Sequence, residues 1–166
     1  MTRIAAERHL PGSTPADAAA LWWDTTRWPS FVDGFSHVHK REGDWPAVGG
    51  RLVWDARPGS DRGRVIERVL DRDADGGGES ELEDARLQGV LTVRFAATGS
   101  GAHATLALDY ALKGSGAVVR DLVVARRRLR QGLERSLERL SRELAMEHEL
   151  AGEGAGLSRT PRRDAG

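Results

Sequence analysis

The chain has 166 residues, with 25 basic and 25 acidic side chains and a formal net charge of zero. That length suits one domain, and the charge balance argues against a dedicated nucleic-acid binder, whose affinity rests on neutralising phosphates. The absence of cysteine excludes disulfides, thiolate catalysis and cysteine-ligated zinc.

The longest near-apolar run, Ala18–Trp23, falls far short of the roughly 20 residues a bilayer needs. The opening Met1-Thr2-Arg3-Ile4 carries no apolar leader segment. These features lead to the expectation of a cytoplasmic protein with no integral membrane association. Five Trp, three Phe and one Tyr make an unusually Trp-weighted aromatic set.

In chain order, Thr2–Leu10 reads as a strand. Thr14 is then placed to cap a helix, with Pro15 at its first position and Asp17 at its positive end. That helix is expected over Ala16–Asp24, with Pro29 breaking it and Ser30–Asp33 forming a short turn before Gly34. Phe35–Arg41 reads as the next strand. Beyond it the apolar period becomes two: Leu52, Trp54 and Ala56; Leu91, Val93 and Phe95; Leu106, Leu108, Tyr110 and Leu112. Such alternation marks half-buried antiparallel strands. Arg64–Leu70 and Ser80–Leu87 carry weaker versions of it. Gly49-Gly50, Pro58-Gly59, Asp75-Gly76-Gly77-Gly78 and Gly99-Ser100-Gly101 supply the turns.

From Val118, the positions Leu122, Ala125, Leu129, Leu133, Leu137, Leu140 and Leu144 recur at steps of three or four, one stripe of an amphipathic helix. Gly114-Ser115-Gly116 opens this helix of about 30 residues, and Gly152 is expected to close it. Ala151–Gly166 has no apolar period and reads as a disordered tail, leaving residues 1–150 as the domain. Strand, helix, short helix, about 6–7 strands and a long helix make an α+β fold, an antiparallel sheet with helices on one face.

Several local motifs fall in a telling order. Pro15-Ala16-Asp17 opens a helix, and Asp24-Thr25-Thr26-Arg27-Trp28-Pro29-Ser30-Phe31 follows. Gly49-Gly50-Arg51 then enters a strand, and Gly99-Ser100-Gly101 turns into the last one. Over Arg3–Leu150 this pattern resembles the START/Bet v 1-like (SRPBCC) superfamily, in particular its bacterial polyketide cyclase/dehydrase-like members. The resemblance implies a helix-grip fold, a curved sheet wrapped around the long C-terminal helix with an apolar cavity between them. It also implies a START-like ligand-binding domain whose relatives hold lipids, polyketides or other hydrophobic molecules, some of them catalytically. Fold alone does not choose among these.

Within that frame Trp54, Phe95, Leu108 and Tyr110 are expected to form the cavity floor. Val118, Leu122, Ala125 and Leu129 form its roof, and Phe31 and Phe35 flank its mouth. Trp22 and Trp23 point about 100° apart on a helix, so one of them is expected to face out or into the pocket. Trp45 lies in a loop and reads as a mouth or partner surface, or as packing. His37 and His39 share one strand face, but a catalytic zinc needs a third ligand and no other histidine stands at a fixed spacing. No metal or cofactor is therefore expected. The nucleophile-elbow, phosphate-loop and His-Glu-x-x-His patterns are all missing, so no catalytic residue is assigned. Arg8 shares a face with Ile4, Ala6 and Leu10 and is the inward-charge candidate.

Residues 120–142 hold eight Arg against one Asp and two Glu. This reads as a solvated helix face, with the acidic Glu79, Glu81, Glu83 and Asp84 as a counterpart within the chain or in a neighbouring subunit. The expected function is binding of a small hydrophobic or amphipathic molecule, lipid- or polyketide-like. The alternatives are a polyketide cyclase/aromatase-like enzyme, and an interaction module or homodimer acting through the long helix. The expected partner is a small hydrophobic ligand and not nucleic acid.

Overall fold

The structure, a computed structural model, describes residues 1–114 and 119–157. Its elements are β1 (Thr2–Pro11), α1 (Pro15–Trp23), α2 (Trp28–Phe31), β2 (Phe35–Glu42), β3 (Arg51–Ala56), β4 (Arg64–Arg72), β5 (Gly78–Glu83), β6 (Leu87–Thr98), β7 (Gly101–Leu112) and α3 (Val119–Leu157). The strands form one seven-stranded sheet in the order β1-β7-β6-β5-β4-β3-β2. Every neighbouring pair in it is antiparallel. The sheet is open and curved, with α3 as the long C-terminal helix, so the helix-grip expectation holds.

Local chemistry explains where the helices start. Thr14 Oγ1 accepts the Asp17 N–H at 3.1 Å, and the Asp17 carboxylate accepts the Thr14 N–H at 3.0 Å. This reciprocal cap satisfies two amides that an open helix end would leave unpaired. Pro29 does not break a helix. It sits in the first turn of α2, where its missing N–H would have had no partner anyway. The short helix therefore begins at Trp28 and ends at Phe31, ahead of the expected Ser30–Asp33 turn.

The long helix also departs from expectation at its far end. α3 continues past Gly152 to Leu157. A glycine ends a helix where the backbone turns left-handed, and Gly152 is not among the positive-φ glycines. Residues 151–157 are thus helical and not tail, while the rest of the expected tail, 158–166, lies outside the described residues.

Trp22 and Trp23 are both buried, so neither faces outward. Trp22 packs on Phe31 at 5.9 Å between ring centroids, and Trp23 packs on Trp45 at 5.8 Å. Trp23 Nε1 also donates to Gly76 O at 2.8 Å. Gly76 has φ +83°, and a Cβ there would stand 2.4 Å from that of Ala19, so only glycine lets this turn approach α1. Trp45, from the loop before β3, also meets Trp28 at 6.0 Å and is part of the packing. Arg8 is exposed, its long side chain carrying the guanidinium to water at the end of β1.

Buried leucines anchor α3 about its middle, with Leu137, Leu140 and Leu144 all at 1 % exposure or less. The helix packs on β1, β7, α1 and α2. Over β3–β6 it stands away from the sheet.

Candidate functional site

Where α3 lifts off, a cavity of about 1020 Å³ opens between helix and sheet. That is at the upper end of the usual range for small-molecule sites, about 300–1,000 Å³. The concave sheet face supplies Trp54, Leu82, Leu91, Leu106 and Leu108, while α3 supplies Ala125, Leu129 and Leu133. Trp22 and Trp28 add two further indoles.

Of the residues read from the sequence as pocket walls, Trp54, Leu108, Ala125 and Leu129 are on the lining. Phe31, Phe35, Phe95 and Tyr110 are buried but do not line it. Phe35 is held at 5.6 Å from Trp28 and 5.5 Å from Trp54, behind the wall, and Val32, Asp33 and Gly34 take the place expected for the two phenylalanines. Phe95 lies opposite Ala104 in register, in the filled part of the core. Tyr110 has its phenol pushed up by burial and eased back by Arg126. Leu122 is 42 % exposed and off the lining. Val118 lies outside the described residues.

The polar groups of the cavity lie outside the set read from the sequence. Glu67 is 3 % exposed on the concave side of β4, with Leu52 and Leu82 as its cross-strand neighbours. Burial pushes its carboxyl up to about 7, against the opposing influence of Ser80, Trp54 and Arg62. A signal for it exists. Glu67 has the same strand parity as Val65 and Val69, which puts an acid on the apolar face. The adjacent Val65-Ile66 and Val69-Leu70 pairs blur that phase.

Arg62 stands at the rim. Its Nε donates to Asp84 Oδ2 at 2.7 Å, and its guanidinium lies 5.3 Å from the Trp54 ring centroid. Asp84 is itself tied down, its Oδ1 accepting the amides of Arg86 and Leu87 at 2.8 and 3.0 Å. Asp33 faces Arg135 across the same rim.

The remaining charged motifs resolve elsewhere. Glu79 pairs with Arg94 at 3.2 Å and Glu83 with Lys113 at 2.5 Å. With Asp84 on Arg62, these three acids meet sheet and loop cations, and among the described residues none of the three pairs with an arginine of α3. His37 and His39 both approach the Asp55 carboxylate, at 3.2 and 3.8 Å. Among the described residues no group of three metal-ligating side chains gathers, and no helix is long and apolar enough to cross a membrane.

Residues 1–145 match the profile of the family described as polyketide cyclase / dehydrase and lipid transport. The chain belongs to that family. Solved structures with the family's architecture align along most of their length. The protein TTHA0849 of Thermus thermophilus is 21 % identical at a TM-score of 0.65, covering 88 % of this chain and 99 % of its own. Truncated norcoclaurine synthase of Thalictrum flavum is 15 % identical at 0.64, covering 86 % and 92 %. Ara h 8.0201 is 11 % identical at 0.64, covering 87 % and 98 %. At these identities the likeness establishes the fold and nothing finer. No curated protein matches the sequence.

Proposed function

We propose that this family member binds one small apolar or amphipathic molecule, lipid- or polyketide-like, between its sheet and C-terminal helix. The observation that carries the reading is the cavity of about 1020 Å³, walled by leucines and indoles. Burying apolar ligand surface there supplies affinity, and the few polar groups supply orientation. Trp54, Leu108, Ala125 and Leu129 are four of the ten contacts expected from the sequence, the four on the lining. Trp22, Trp28 and Leu133 join them.

The test is a titration with fatty acids, flavonoids and aromatic polyketides, followed by Trp fluorescence and by calorimetry. Trp22, Trp28 and Trp54 line the cavity, so occupancy changes their emission. Saturable binding with negative heat-capacity change supports the reading. No heat and no spectral response across the panel sinks it.

One observation favours a second reading, a cyclase-like enzyme. Glu67 is a buried carboxyl in the cavity that holds its proton to about pH 7, the range in which a general acid or base works best. Turnover of a polyketone substrate, lost in Glu67→Gln while binding persists, would support it. A bound polyketone recovered unchanged would count against it.

A further inference from the structure

Leu122, Val123 and Val124 follow one another in the first turns of α3 and are 42, 63 and 42 % exposed. Among the described residues no other run of three consecutive large apolar side chains is exposed. Successive residues on a helix point about 100° apart, so these three present a broad aliphatic sector to the outside. The leucines that pack α3 onto the domain, Leu137, Leu140 and Leu144, lie further along.

Arginine follows one turn later. Arg126, Arg127 and Arg128 stand four residues after Leu122, Val123 and Val124, about 6 Å further along the axis. All three are exposed. Arg130 gives its Nε to Glu134 at 3.0 Å. Arg126, Arg127 and Arg128 have no ion pair or hydrogen bond among the described residues. Arg126 eases the ionisation of Tyr110, but burial holds that phenol above its ordinary range, so it offers no anion at neutral pH.

Charge is sorted along the helix. Residues 122–133 carry four arginines and no acid, whereas 134–157 carry six glutamates and three arginines. The chain as a whole is neutral, so the positive excess of the first turns is local. The carboxylates at the cavity rim do not offset it, since Asp33, Asp61 and Asp84 are held by Arg135, Arg86 and Arg62.

An aliphatic turn beside unpaired guanidiniums selects its partner by chemistry. A second copy packed through the same turns covers the aliphatic side chains but sets arginine against arginine. A nucleic acid meets the arginines and leaves the aliphatic side chains in water. No aromatic ring is among the exposed large apolar side chains to stack on its bases. An anionic lipid surface meets both needs, taking the aliphatic side chains into its headgroup–acyl boundary and offering phosphates to the arginines. Val124 and Arg128 also line the cavity, so these turns border its opening.

We propose that the first turns of α3 dock the protein reversibly on an anionic lipid surface. Leu122, Val123 and Val124 enter the interface, and Arg126, Arg127 and Arg128 hold its phosphates. Docking of this kind is peripheral and does not depend on what the cavity holds.

The experiment is flotation of the full chain with vesicles of phosphatidylcholine, alone or with about a third phosphatidylglycerol. The protein floats with the anionic vesicles and not with the neutral ones, and added salt weakens the binding. Arg126→Gln with Arg127→Gln lowers the affinity about 25-fold, about fivefold for each charge. Val123→Ser keeps every charge and lowers it about fivefold. None of these three residues lines the cavity, and thermal melts check that the variants stay folded. The chain has no cysteine, so Val123→Cys takes a single environment-sensitive dye. Its emission moves to the blue on anionic vesicles, and that of the same dye on Glu149→Cys, near the other end of α3, does not.

No binding to either vesicle, equal binding to both, anionic binding unchanged in the double arginine variant, or a dye shift at both ends would overturn the proposal. A dimer in sedimentation that Val123→Ser dissociates would give the aliphatic turn to a second copy instead. Tighter binding of single-stranded RNA than of anionic vesicles would give the arginines to nucleic acid. Ligand titration of the cavity is a separate measurement, so each of these outcomes leaves that reading in place.

Discussion

Asp33 holds Arg135 through both carboxylate oxygens, Nε to Oδ1 and Nη2 to Oδ2, each at 2.9 Å. The Asp33 N–H also donates to Ser136 Oγ at 2.9 Å, so the exit of α2 is fastened to α3 at the cavity rim. Arg135 is 46 % exposed, which screens much of the Coulomb attraction. Asp33→Ala is expected to cost about 1 kcal/mol and lower Tm by about 2–4 °C. A double-mutant cycle with Arg135→Ala checks the origin of the loss. Purely additive effects would mean the pair is not coupled.

Glu67 makes stability depend on pH. Its folded carboxyl titrates at about 7 against an ordinary 4.5, so the folded state binds more protons between those values. Stability is therefore fully present below about pH 4.5 and declines as pH rises through about 7, by about 3 kcal/mol in all. Glu67→Gln removes that slope. Urea melts at pH 5, 6, 7 and 8 measure it, and parallel pH profiles for the two proteins would contradict the assignment.

Trp28 is 2 % exposed, donates to Trp22 O at 2.7 Å, and meets Phe35 and Trp45 edge-on. Trp28→Ala is expected to cost about 3–5 kcal/mol, the range for deleting a large buried ring. Trp28→Phe costs less, about 2 kcal/mol, from lost area and an unmade bond to the Trp22 carbonyl. Chemical denaturation gives both values. A loss under about 1 kcal/mol for the alanine variant would place the ring outside the core.

Ala125 is half-buried on the cavity side of α3. Ala125→Phe fills empty space, so stability should change by less than about 1 kcal/mol, mostly helix propensity. Ligand affinity should fall about tenfold or more as volume is taken from the site. Thermal melts and ligand titration on the same sample separate these effects. Unchanged affinity would move the ligand elsewhere.

Periodicity makes the elements legible, and it does so because each signal is local. Thr14 with Asp17 is a cap written in four residues, and the alternation through Leu106, Leu108 and Tyr110 is a strand whatever surrounds it. What periodicity assigns is a face and not a place along it. Phe95 and Leu108 share the concave face, but Leu108 lies where α3 stands off and Phe95 lies where the core is filled. That boundary depends on how the helix meets the sheet, a long-range fact no window of sequence contains. Phe31 and Phe35 sit behind the wall for a related reason, since the Trp22, Trp28 and Trp54 rings they brace are gathered from separate segments. Glu67 is legible in parity and hidden by its apolar neighbours.

The uneven seating of α3 divides one helix between two tasks. Leu137, Leu140 and Leu144 fasten it, each buried leucine contributing about 1.5–3 kcal/mol, while Ala125, Leu129 and Leu133 span an opening. The helix is fastened about its middle, and its N-terminal turns reach over the cavity. Leu129 and Leu133 are only partly buried against the core there, so they bear less of the packing than the three leucines at the middle. Under the proposed binding role, the side chains that would shape the fit to a guest are not the ones that hold the framework together.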